Sequence, residues 1–141
     1  MDNVIRQIRE FNRFYTNILG LLTDRILDSP VSLTEARVLF EIKERPFCMA
    51  KDLIALLRID RGYLSRLLAK LEKRGWVVKE TTPQDKRARS LRLTEAGAAL
   101  VAELERRAES QVGSLLEPLS AGERDDLLAA MQRIKRLLAP G

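Results

Sequence analysis

The residues of this chain best suited to chemistry are its cations. In TPQDKRARSLRLTEAG, Thr82 to Gly97, the side chains Lys86, Arg87, Arg89 and Arg92 fall within seven positions. Like charges crowded into one short segment repel unless an anionic partner neutralises them. From Arg58 to Arg92 there are eleven cations against four anions, a local charge of +7 in a chain whose net charge is +5, so the remainder sums to −2. Basicity gathered into one quarter of the chain is an electrostatic footprint for a polyanion.

Other chemistries lack their residues. The sequence contains no histidine, which removes Ser-His-Asp and Cys-His catalysis and makes a transition-metal site improbable. Its seven glycines are scattered and form no phosphate cradle. A carboxylate or lysine enzyme would still be possible, but no motif points to one, so no catalytic residue, cofactor or metal is expected. Cys48 is the single cysteine and excludes an internal disulfide framework. No apolar run approaches the roughly 18–20 residues of a membrane span, and the N-terminus lacks a signal-peptide h-region, so a cytoplasmic address is expected.

The cations need elements to position them. At 141 residues, 45% apolar and 32% charged, the chain fits a single domain. Ile8, Phe11, Tyr15, Ile18, Leu22 and Ile26 step by three or four and predict a long amphipathic helix over 3–27, closed by Asp28-Ser29-Pro30. SLTE, Ser32 to Glu35, reads as a capping box for a helix over 33–44 that buries Ala36, Leu39, Phe40 and Ile42 and stops at Pro46. A short third helix is expected over 49–57, with Cys48 standing where a cap would suit it. Asp60 then caps DRGYLSRLLAKLEKRG, whose buried stripe is Leu64, Leu67, Leu68 and Leu71 and whose terminator is Gly75. Two short helices joined at Arg58-Ile59, the second with a cationic outer face, form a helix-turn-helix pattern.

After Gly75 the period changes from helical to alternating. WVVKET and RSLRL read as strands, with Leu91 and Leu93 on one face and Ser90 and Arg92 on the other, joined through Thr82-Pro83-Gln84-Asp85. The cationic segment is therefore a hairpin wing. Thr94 caps a long helix bearing Leu100, Val101, Leu104, Ala108, Val112 and Leu115; Pro118-Leu119 breaks it. SAGE, Ser120 to Glu123, opens a last helix with Leu127, Leu128, Met131, Ile134, Leu137 and Leu138. These terminal helices are apolar over more length than a small winged domain covers, which predicts a homodimer.

DKRARSLRLTEAG, Asp85 to Gly97, directly follows GYLSRLLAKLEKRGWV and resembles the D-x-R…L-x-L-T-x-x-G signature of the MarR family of transcription regulators. The resemblance covers the whole chain and implies a mainly α fold: a winged helix-turn-helix at 31–93, with dimerisation helices at 1–30 and 94–141. It implies a dimer that binds pseudo-palindromic double-stranded DNA, commonly as a repressor released by a small aromatic or anionic effector. IREFNRFYTNILGLL…SLTEARVLFEI further resembles the subgroup fused to a GNAT-type acetyltransferase, so the alternative is the regulatory part of such an enzyme, with its catalytic domain outside this chain.

An α-helix enters the major groove, and arginine grips guanine bidentately, adding about 1–3 kcal/mol of discrimination. Arg61, Tyr63 and Arg66 are assigned to base edges, with packing the other role open to Tyr63. Ser65 is assigned to a phosphate. Gly62, in the first turn, would allow close backbone approach. The family match makes Arg87 the wing tip, flanked by Lys86 and Arg89, with Asp85 orienting Arg87 or Arg89. Lys70, Lys73, Arg74 and Arg92 meet phosphates or solvent. Trp76 fits the core beneath the wing, and Phe11, Phe14 and Tyr15 line an effector pocket, or belong to the core or a dimer seam. Cys48, with only Lys51 as a neighbouring cation, reads as a small buried hydrophobe.

Overall fold

The computed structural model describes residues 1–26, 29–81 and 89–139, with the backbone alone for 20–26. Its elements are α1 (Asp2–Ile26), α2 (Leu33–Glu44), α3 (Ala50–Leu57), α4 (Arg61–Lys73), β1 (Val77–Thr81), β2 (Arg89–Leu93), α5 (Glu95–Leu116) and α6 (Ala121–Leu138). The chain divides into two compact units, 1–107 and 108–141.

In the first unit the core forms where α2, α3, α4, the hairpin and the start of α5 meet. Leu39, Leu53, Leu64, Leu71, Val77, Val101 and Leu104 are fully enclosed, with Ala36, Val38, Leu67, Leu68 and Leu91 among them. The α4 stripe is the one the sequence predicts. In α2 the outcome differs: Val38 is buried and Phe40 is only half-buried, because the face turned inward is Glu35, Ala36, Val38, Leu39 and Ile42.

Local chemistry sets the helix ends. At α2, the Glu35 amide donates to Ser32 Oγ (3.1 Å) while Glu35 Oε1 accepts from the Ser32 amide (3.3 Å), a complete capping box. The same reciprocal pair joins Ser120 and Glu123 at α6. The cap of α3 is Met49 rather than Cys48: the Asp52 carboxylate accepts the Met49 amide at 2.9 Å, whereas the Cys48 carbonyl accepts the Leu91 amide at 2.6 Å. Cys48 is thus held to β2, one residue too early to cap. Asp60 caps α4 by accepting the Tyr63 amide at 3.0 Å.

The end of α4 fixes the start of the wing. Gly75 adopts φ +80, its amide donates to the Glu72 carbonyl (2.9 Å), and the Trp76 amide donates to the Leu71 carbonyl (3.1 Å). That pair of bonds is a Schellman motif, and its left-handed residue favours glycine. β1 and β2 then pair antiparallel with Val77 opposite Leu93, Lys79 opposite Leu91 and Thr81 opposite Arg89. Ser90, read as lying on the polar face with Arg92, is buried, and its hydroxyl donates to the Glu80 carbonyl at 3.5 Å.

α1 and α6 behave differently from the core. Among the described side chains of α1 none is buried, and Val4, Ile5, Ile8, Phe11 and Phe14 are exposed. In the second unit α6 has no buried residue, and Leu128, Ile134, Leu137 and Leu138 are exposed.

Candidate nucleic-acid interface

Because α4 buries Leu64, Leu67, Leu68 and Leu71, its remaining positions must face outward, and Arg61, Tyr63, Ser65, Arg66, Lys70 and Lys73 are all exposed. The Asp60 cap starts the helix so that Arg61 and Tyr63 occupy its first turn. A Cβ on Gly62 would come within 3.2 Å of Asp60 Oδ2 and 3.4 Å of an Arg66 guanidinium nitrogen. Glycine here gives room to the cap and to Arg66, whose side chain runs back along the helix as helical side chains do.

Ion pairing sorts the basic segment into two groups. Lys70 lies 3.5 Å from Glu35, Arg74 4.0 Å from Glu35, Lys79 3.5 Å from Glu72, and Arg92 2.7 Å from Glu80. Arg58, Arg61, Arg66, Lys73 and Arg89 make no ion pair among the described residues, and all are exposed. Arg92, assigned to phosphate or solvent, is therefore spoken for within the hairpin. Arg74 is a structural staple that donates to the Pro30 carbonyl (2.7 Å) and lies 5.3 Å from the centre of the Trp76 ring. Asp85, Lys86 and Arg87 lie outside the described residues.

The family model for the MarR family matches residues 29–88. The chain is thus similar to MarR-family winged-helix proteins. It is 24% identical over 136 residues to YybA of Bacillus subtilis, an uncharacterized HTH-type transcriptional regulator, covering 96% of this chain and 89% of that protein. With the multiple antibiotic resistance protein MarR of Escherichia coli it shares 37% identity over 82 residues, 55% of this chain and 57% of that protein. Its fold superposes on a mutant E. coli MarR complexed with operator DNA with a TM-score of 0.72, at 24% identity, covering 94% of this chain and 95% of the other.

Within this winged-helix fold, the L-x-L-T-x-x-G half of the signature forms the junction between α4, the wing and α5. Leu91 is buried and Leu93 packs on the core. Thr94 caps α5 by accepting the Gly97 amide (3.0 Å), its hydroxyl donates to the Gly75 carbonyl, and its own amide donates to the Trp76 carbonyl (3.0 Å). Any Cβ on Gly97 would collide with the Trp76 carbonyl oxygen. Trp76 itself is half-buried against the core, as the sequence suggests.

The remaining singled-out residues fall away from α4. Phe11 and Tyr15 stack with ring centroids 5.7 Å apart, and both Phe11 and Phe14 are exposed. Cys48 is buried, and enclosure together with Asp52 raises its thiol pKa. Its neighbouring cation is Arg45 rather than Lys51, and Arg45 offsets only part of that rise. Sequence reasoning used Glu35 only as a capping residue; its burial beside Lys70 and Arg74 depends on how α2 packs against α4, and no local pattern encodes that.

Proposed function

We propose that the protein is a dimeric, sequence-specific regulator that binds a pseudo-palindromic operator in double-stranded DNA and acts as a repressor. The observation that carries this reading is the outer face of α4: Arg61, Arg66 and Lys73 are exposed without an ion-pair partner among the described residues, on a helix whose opposite face is locked into the core. A rigid cationic helix of this kind fits the major groove, with the side chains of its first turns toward base edges. Arg61, Tyr63 and Arg66 read bases. Ser65, Lys73 and Arg89 meet phosphates, and Lys86 and Arg87 place the wing in a minor groove, with Asp85 orienting Arg87 or Arg89. The relative solved with operator DNA supports this reading. A C2 dimer built from the apolar terminal helices would set two copies of α4 about one helical turn apart, roughly 34 Å. A small aromatic or anionic effector would release it, as the family resemblance implies.

Selection of bound sequences from random duplex DNA tests the reading directly, with a palindrome of two half-sites as the expected product. Arg87→Ala weakens binding to all sequences and flattens its salt dependence, while Arg66→Ala relaxes preference at one position per half-site by about 1–3 kcal/mol. Unchanged affinity and salt slope in Arg87→Ala would refute the wing assignment.

The second reading, the regulatory part of a longer acetyltransferase, is favoured by the resemblance of residues 8–42 to the fused subgroup. Whether the reading frame continues about 150 residues beyond Gly141, one domain's length, tests it.

A further inference from the structure

Glu35 is the only charged side chain buried among the described residues. Capping uses only part of it. Its Oε1 accepts the Ser32 amide at 3.3 Å and lies 3.5 Å from the Lys70 ammonium. Its Oε2 is enclosed, accepts no hydrogen bond and faces the Arg74 guanidinium at 4.0 Å. Burying a carboxylate is costly unless charge and hydrogen bonds offset it, and here the offset comes from two cations of the α4 end. Arg74 extends the cluster by donating to the Pro30 carbonyl at 2.7 Å. One group of charges thereby ties the first turn of α2, and the segment just before it, to the second half of α4.

A capping box works equally with glutamine, which is cheaper to bury. The cap therefore does not need the charge of Glu35, but Lys70 and Arg74 do. Lys70 projects from the outer side of α4 with its side chain 53% exposed, while the Glu35 side chain is 8% exposed. The pair spans the boundary between the core and the face assigned to DNA. We infer that Glu35 is a positioning residue for DNA recognition. Its charge holds Lys70, and with it the second half of α4, against α2, so that Lys70 serves as an internal anchor and phosphates must compete with Glu35 to engage it. This inference rests on the DNA-binding reading above.

Glu35→Gln keeps the size and capping geometry and removes the charge. Affinity for an operator duplex is measured across a salt series for the unaltered protein, Glu35→Gln, Lys70→Gln and the double variant, with circular dichroism confirming the fold. Released from Glu35, Lys70 becomes available to a phosphate, so Glu35→Gln steepens the plot of log K against log salt by roughly 0.9 per subunit. Lys70→Gln weakens binding several-fold through the lost anchor but keeps the slope of the unaltered protein. The double variant loses the steepening. An unchanged slope in a folded Glu35→Gln, or a flattened slope in Lys70→Gln, overturns the inference; the second outcome decides it even where Glu35→Gln does not fold. Absence of duplex binding by the unaltered protein would remove the DNA reading and this inference together, whereas normal binding with an unchanged slope removes the inference alone.

Discussion

At the scale of single residues, the cations that sequence counting treats alike are not alike. Lys70, Arg74, Lys79 and Arg92 have carboxylate partners within the chain, while Arg58, Arg61, Arg66, Lys73 and Arg89 have none among the described residues. A counterion already supplied by the protein reduces the gain from meeting a phosphate, so on the proposed DNA-binding reading each cation of the second group is expected to gain more from a phosphate than one of the first. Gly97 shows the opposite kind of specialisation, where the absence of a side chain is the function. The Trp76 carbonyl occupies the space that a Cβ would take, and backbone oxygen cannot rotate aside as a flexible side chain can. Gly97→Ala therefore forces the α4–wing junction apart and is expected to cost about 1–3 kcal/mol, the usual scale of overpacking. Urea denaturation measures it, and an unfolding midpoint equal to that of the unaltered protein would contradict the packing described.

At the scale of elements, α4 is defined at both ends by backbone bonding and along one side by leucine. Asp60 satisfies an open amide at its start, and the Gly75 Schellman motif closes its end, so its register on the core is fixed. α2 supports it from behind, and the support begins at Ser32. Removing that hydroxyl leaves the Glu35 amide without its partner and loosens the turn that holds the buried carboxylate. Ser32→Ala should lower stability by about 1 kcal/mol, and Ser32→Asp, which keeps a cap acceptor, should recover most of it. Equal denaturation midpoints for Ser32→Ala and the unaltered protein would argue against the cap. The wing is held by different means, through β1–β2 pairing, the Cys48–Leu91 bond and the Thr94 hydroxyl, which together fix its base.

At the scale of the whole molecule, the apolar faces of the terminal helices remain to be covered. Ile8 of α1 is 54% exposed, and Leu128 and Leu137 of α6 are 56% and 68% exposed, on helices whose stripes are too regular to be accidental surface. A second copy of the chain is the partner that symmetry supplies most simply. Sedimentation equilibrium is expected to give a dimer mass. Ile8→Asp combined with Leu137→Asp should shift it toward monomer and weaken operator binding at least tenfold, since two half-sites would no longer be engaged together. A monomer mass for the unaltered protein at micromolar concentration would remove the dimer from the proposal.

Much of this architecture is local in origin, which is why it could be read from the sequence. The capping boxes at Ser32 and Ser120, the terminator at Gly75 and the leucine stripe of α4 are each specified within a few residues, by hydrogen-bonding capacity and helical period. The same locality made the +7 segment legible as a helix-turn-helix followed by a wing. Only the folded chain decided which cations already have partners, because Glu35 lies 35 residues from Lys70 and 39 from Arg74. Tertiary packing likewise buried Ser90, moved the α3 cap from Cys48 to Met49 and placed a carbonyl where Gly97 has no side chain. Charge pairing and steric exclusion depend on distance in space, and a sequence records only distance along the chain.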